Sequence, residues 1–167
     1  MFGIFPSSLP RLAIVSGTFL AAFAFKHRYG LHRVDGPSMQ PTLNPHLEWN
    51  SFFRDVVLTR RIGENELREG RDIARRYKGH IAVIISPKSG NDLLVKRITH
   101  SPGETVIPDN LARNKKEVTI PEDHIWVQSD KGRGYADSNV FGPIHVSALR
   151  GIVTATVWPP SRVRKLP

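Results

Sequence analysis

The sequence predicts a mostly β domain whose antiparallel sheet coils into a sandwich- or barrel-like body, preceded by one short apolar segment. From His80 onward, short β-branched runs recur at residues 81–85, 93–98, 118–120, 125–128 and 152–158. Pro87-Lys88-Ser89-Gly90, Pro102-Gly103 and Pro121-Glu122-Asp123 punctuate them as turns. No long helical pattern intervenes, and many short strands joined by Gly/Pro turns imply a coiled antiparallel sheet. Residues 55–59, Asp-Val-Val-Leu-Thr, read as one further strand.

The apolar segment spans residues 12–25 and is interrupted only by Ser16, Gly17 and Thr18, with Lys26-His27-Arg28 closing it. As a helix it would measure about 21 Å against a hydrocarbon core of ~30 Å. A signal-peptide core, a buried helix and a short anchor all fit that length. Ala22-Phe23-Ala24 offers only a weak cleavage site. The anchor reading is adopted, with tilt or local bilayer thinning making up the length. The chain then divides into an anchor segment, 1–28, and a β-rich domain, 29–167, with a charged insertion at about 60–79. That insertion carries Lys or Arg at 60, 61, 68, 71, 75, 76 and 78 and Asp or Glu at 64, 66, 69 and 72. Glu64/Arg68 and Asp72/Arg76 stand at i,i+4, so a short exposed helix in a solvated insertion is expected.

Between anchor and first strand lies Val34-Asp35-Gly36-Pro37-Ser38-Met39-Gln40-Pro41-Thr42-Leu43-Asn44-Pro45. Pro37 and Pro41 restrict the backbone, and Gly36 permits close approach of another chain. A hydroxyl held on such a turn is oriented as a nucleophile needs, although the same composition suits an ordinary surface turn. A proton acceptor is offered by Lys96 in the run Leu93-Leu94-Val95-Lys96-Arg97-Ile98. Turned to the apolar face, its amine would lose charge by desolvation and become a general base, while strand alternation leaves Arg97 in water on the other face.

Composition narrows the classes. The net charge of +9 and pI near 10.4 suit an anionic lipid surface or an acidic partner. Zinc-finger spacing, RNA-binding aromatic motifs and phosphate-cradling glycine loops are absent, so nucleic acid is not an expected partner. With no cysteine and no His-Glu-x-x-His, neither thiol chemistry nor a metal is expected, and no cofactor is implied.

Gly36-Pro37-Ser38-Met39-Gln40-Pro41-Thr42-Leu43 resembles the serine box of type I signal peptidases. Lys96-Arg97-Ile98-Thr99-His100-Ser101-Pro102-Gly103-Glu104 resembles their lysine box, and Asp137-Ser138-Asn139-Val140-Phe141-Gly142-Pro143-Ile144 their last box. Asn44-Pro45 and the closing run of residues 157–163 resemble the mitochondrial inner membrane branch of that family. The resemblance implies a membrane-anchored serine endopeptidase with a Ser38–Lys96 dyad. It implies a nucleophile turn of Gly36, Pro37, Ser38 and Met39, and support from Tyr135, Asp137 and Ser138. Substrates would be polypeptides bearing sorting presequences, and the partner the other catalytic subunit of the protease, with the domain in the intermembrane space. A positive-inside count, with the cationic cluster after the apolar run, puts the domain on the matrix side instead.

Four positions, Gly36, Ser129, Lys131 and Tyr135, depart from the family pattern. Relatives carry a hydroxyl two residues before the nucleophile, where this chain has Gly36. They read Gly-Asp-Asn where it has Ser129-Asp130-Lys131, and a lysine-orienting serine where it has Tyr135. A catalytically weak subunit that scaffolds an active partner is therefore the alternative function. A Ser-His-Asp site with His100 or His124 as base is a lesser one, because no Gly-x-Ser-x-Gly elbow is present.

Overall fold

The computed structural model describes residues 25–45, 51–109 and 117–167. The expected anchor, except for Phe25, lies outside these residues. Among the described residues no helix is long and apolar enough to cross a membrane. The chain runs through β1 (Tyr29–Arg33), β2 (Val56–Arg61), α1 (Glu64–Leu67), α2 (Arg71–Arg76), β3 (Ile81–Ile85), β4 (Leu93–His100) and β5 (Thr105–Val106). There follow β6 (Val118–Thr119), β7 (His124–Gln128), α3 (Ser138–Phe141), β8 (Ile144–His145), β9 (Leu149–Trp158) and β10 (Arg164–Lys165). The fold is mostly β, as its β-branched runs predict.

One curled antiparallel sheet has the order β1-β2-β9-β3-β4-β7-β8, with β10 on β9, while β5 and β6 form a separate ribbon. Central strand β3 explains why the sheet must be covered twice. Ala82 and Ile84 enter one core with Ile98, Val127, Leu149 and Ile152, whereas Ile81 and Val83 enter a second with Val34, Met39, Leu43, Val57 and Val153. Side chains alternate along a strand, so an uninterrupted Ile-Ala-Val-Ile run needs apolar partners on both faces. Strands β1, β5, β8 and β10 escape the sequence reading. Their four short segments carry no apolar alternation of their own and are recruited by neighbours already in place.

The charged insertion corrects an expectation. It forms two short helices, and Ile73 and Ala74 of α2 are fully buried in the first core, with Leu67 and Tyr77 packed beside them. The expected i,i+4 pairing is replaced by a hub at Glu66. Arg60 donates to both carboxylate oxygens at 2.9 Å, Tyr77 donates at 2.6 Å, and Arg76 reaches Glu66 at 3.8 Å and Glu69 at 2.8 Å. Gly70 joins the two helices at φ +47°, where a Cβ would collide with the Asp123 carboxylate. The insertion is thus tied to β2 by ions and to the sheet by Ile73.

Hydrogen bonds from Arg60 hold the Glu66 carboxyl at about 2, despite burial pushing the other way. A folded-state value below the unfolded ~4.3 stabilises the protein fully above that pH, and the gain is lost as pH falls toward the folded value. Glu66→Gln is therefore expected to cost ~1–3 kcal/mol at neutral pH. Denaturant titrations should show the gap from wild type closing as pH falls from ~4.5 to ~2.

Candidate active site

The serine turn is built before the serine is placed. Val34 N–H donates to the Asp55 carbonyl at 2.9 Å, extending the β1–β2 pairing by one step. At its far end Asn44 takes a left-handed φ of 49°, which asparagine tolerates better than most residues. Its amide donates to the Val34 carbonyl at 2.6 Å, its Oδ1 accepts from Asp55 N–H, and its own N–H donates to Asp55 Oδ2, both at 2.7 Å. Asn44 and Asp55 thus clasp the base of the turn reciprocally, both nearly fully buried. Arg162 donates to Asp55 Oδ1 at 2.7 Å, and Arg164 donates to the Thr42 carbonyl at the same distance. The C-terminal segment therefore straps the turn from outside. Asn44, Asp55 and the Arg162 strap are positioning elements that sequence reasoning passed over. Only the Asn-Pro after the serine and the closing Ser-Arg-Val hinted at them.

Within the turn, Met39 and Leu43 are fully buried in the second core. Met39 acts as a plug that pins the backbone beside Ser38. Lys131 N–H donates to the Ser38 carbonyl at 3.1 Å, linking the turn to the loop after β7.

Lys96 reaches the turn from β4, and its Nζ lies 2.7 Å from Ser38 Oγ. Residue 96 shares a face with Leu94 and Ile98, both set in or against the first core, and only 3% of it is exposed. Burial pushes its ammonium below the ordinary lysine range, while the carboxylates of Asp137 and then Asp130 pull it back more weakly. Arg97 does point to the opposite face but does not stay in water. It grips Asp130 with two bonds, at 2.7 and 2.6 Å, and donates to the Gly79 carbonyl at 2.7 Å. Its charge is consumed locally, so the cation beside Lys96 is neutralised.

Of the supporting residues expected, Asp137 acts on Lys96 through its charge, and Ser138 follows it in the chain. Asp137 caps α3 through Asn139 N–H at 2.9 Å and accepts from Ser129 N–H at 3.0 Å. Ser138 Oγ accepts from Val127 N–H at 2.9 Å. Both side chains hold the end of β7 against the capped helix. Tyr135 makes no hydrogen bond to Lys96. Its ring lies beneath the Lys131 ammonium at 6.0 Å and lines a small cleft with Asp137, Asn139 and Val140. The histidine alternative finds no geometry: His100 bonds the Thr99 hydroxyl at 3.1 Å and His124 the Glu122 carbonyl at 2.7 Å.

No family model matches the chain. It is 31% identical over 161 residues to mitochondrial inner membrane protease subunit 2 of Danio rerio, covering 92% of this chain and 80% of that protein. With subunit 2 of Saccharomyces cerevisiae the identity is 36% over 131 residues, covering 78% and 68%. The chain belongs to the mitochondrial inner membrane protease family. Subunit 1 of Schizosaccharomyces pombe is 32% identical over 143 residues, covering 84% of this chain and 82% of that one. Relatives named as subunit 1 and as subunit 2 thus both match most of this chain.

A buried lysine of lowered pKa destabilises the folded state wherever the unfolded chain would be protonated. Stability therefore rises with pH between the folded value and the unfolded ~10.4, where the penalty ends. Lys96→Met is expected to melt above wild type near pH 7, and the difference should shrink toward pH 10.5. Calorimetry across that range checks it. A difference that does not change with pH would show that burial of the charge is not its source.

Proposed function

We propose that this chain is a catalytic subunit of the inner membrane protease, a serine endopeptidase of the signal peptidase type that uses Ser38 and Lys96. The observation that carries the reading is the 2.7 Å approach of Lys96 Nζ to Ser38 Oγ at a site where burial favours the neutral amine. In that form Nζ accepts the Ser38 proton as Oγ attacks the scissile carbonyl carbon. The ammonium then protonates the leaving amine as the C–N bond breaks. Water, deprotonated by the same amine, hydrolyses the resulting ester. Developing charge on the carbonyl oxygen falls to the Ser38 backbone N–H, which no hydrogen bond among the described residues engages.

Substrates in this reading are sorting presequences, bound as extended chains with small residues before the cut. The names of the relatives support a location at the mitochondrial inner membrane and assembly with a second protease subunit. We place the domain in the intermembrane space, anchored through residues 12–25. Membrane contact is supported by exposed Phe52 and Phe53, which pack edge-on with each other, Phe52 also edge-on with Trp158, flanked by Arg33 and Arg54. A scaffold role remains the second reading, favoured by the distance of Tyr135 from the lysine-orienting task.

The test is presequence cleavage by the purified two-subunit complex. Ser38→Ala and Lys96→Met should each lower kcat at least ~10³-fold for one substrate class while the complex stays assembled. Wild-type kcat/KM should rise with pH along one limb set by Lys96. Unchanged cleavage by both variants would leave the scaffold reading. A second prediction concerns Gly36, where a Cβ would meet nothing within 4 Å. Gly36→Ser should fold normally and raise kcat several-fold, because an added hydroxyl there would reach the oxyanion; side-chain donors of this kind contribute up to ~3 kcal/mol elsewhere.

A further inference from the structure

The lysine of the dyad lacks the orienting hydroxyl that the family pattern leads one to expect, since Tyr135 is engaged with Lys131. A different hydroxyl stands in a better place. Strands β4 and β7 pair Ile98 with Val127 and Arg97 with Gln128. Continued one step past the end of β7, that register would bring Ser129 opposite Lys96, on the face that Ile98 and Val127 share in the first core. Residues directly opposite in an antiparallel pair hold their Cβ atoms about 5 Å apart. Ser129 is 7% exposed, and its Oγ is buried with no hydrogen-bond partner. An unpaired buried hydroxyl is costly, so its neighbour must be sought. Lys96 Nζ is the complementary group: among the described residues it bonds Ser38 Oγ alone, though an ammonium carries three donors. Asp137 connects the two, accepting from Ser129 N–H at 3.0 Å while its charge acts on Lys96.

We propose that the Ser129 hydroxyl, which Lys96 does not bond in this structure, becomes the positioning partner of Lys96 during the reaction, accepting an N–H from it and so aiming its remaining valences at Ser38 and the leaving amine. The proposal rests on the Ser38–Lys96 reading. A neutral amine has two N–H groups and one lone pair. With one N–H given to Ser129 Oγ, rotation about the last carbon–nitrogen bond is restricted and the lone pair faces the Ser38 proton. After proton transfer the Ser129 contact persists, and a second N–H of the ammonium points to the departing nitrogen. When Ser38 Oγ is acylated and can no longer hold the lysine, Ser129 is the contact that remains. A serine where relatives read glycine thus replaces, from the opposite strand, the hydroxyl lost at Tyr135.

The experiment compares Ser129→Ala, Ser129→Thr and Tyr135→Phe in the assembled complex, with Ser38→Ala and Lys96→Met alongside. Ser129→Ala should lower kcat 10- to 100-fold with KM little changed. It should also move the limb of the kcat/KM profile to lower pH, because loss of an acceptor for the ammonium favours the neutral amine. Ser129→Thr, which keeps the hydroxyl, should restore both. A merely structural role for Ser129 would lower the melting temperature without moving the limb. Wild-type kcat and limb in Ser129→Ala, with Ser38→Ala and Lys96→Met inactive, would overturn this proposal alone. Activity in Ser38→Ala or Lys96→Met would overturn the dyad reading and this proposal with it. A limb moved by Tyr135→Phe but not by Ser129→Ala would assign the role to Tyr135 and overturn it equally. Should Ser129→Ala melt too low to assay, Ser129→Gly supplies the same deletion in the form that relatives carry.

Discussion

A lysine only 3% exposed, its amine 2.7 Å from a serine hydroxyl, is the constraint around which this domain is arranged. Taking an ammonium out of water is expensive, and the protein meets that cost by favouring the neutral form instead of surrounding the group with carboxylates. Asp137 lies near enough to act on Lys96 through its field, yet its oxygens are spent on the N–H groups of Asn139 and Ser129. Asp130 is likewise held by Arg97. Both acids are thereby kept from pairing directly with the lysine, an arrangement that would return its charge.

The serine must then be brought to a lysine that cannot move. Met39 and Leu43 sink into the second core, Asn44 and Asp55 clasp the ends of the turn, and Arg162 and Arg164 strap it from the C-terminus. The Asp55 carboxylate is the junction, accepting from Asn44 on one oxygen and Arg162 on the other. Charge-assisted bonds to a buried carboxylate are among the stronger polar contacts a fold can use. They make residues 162–164 part of the support of the serine turn. The charged insertion follows the same logic on the other side of the sheet. Its ions gather on Glu66, while Ile73 and Ala74 complete the first core behind the strand that carries Lys96.

Much of this was legible in the sequence. The β-branched runs located β2, β3, β4, β7 and β9, because central strands must be apolar whatever their neighbours, and also β6 of the separate ribbon. Ser38 and Lys96 stood out for the same local reasons, a backbone-restricted hydroxyl and a lysine inside an apolar run. The insertion was misread because seven cations and four acids outweigh two apolar residues in any local window, although Ile73 and Ala74 decide where it packs. Arg97 was misread because alternation gives a side chain's face and not what stands on that face.

What the sequence determined by itself was therefore the periodic and the local: the mostly antiparallel β character of the domain, the rigid serine turn, and the alternation that separates Lys96 from Arg97. What only the tertiary structure decided was every meeting across long chain separation. Lys96 meets Ser38 across 58 positions, Arg162 meets Asp55 across 107, and the strand register sets Arg97 opposite Gln128. Side-chain periodicity is a property of the backbone and can be read from neighbours. Distance between remote residues depends on sheet order and curl, which arise only when both faces of β3 find their cores.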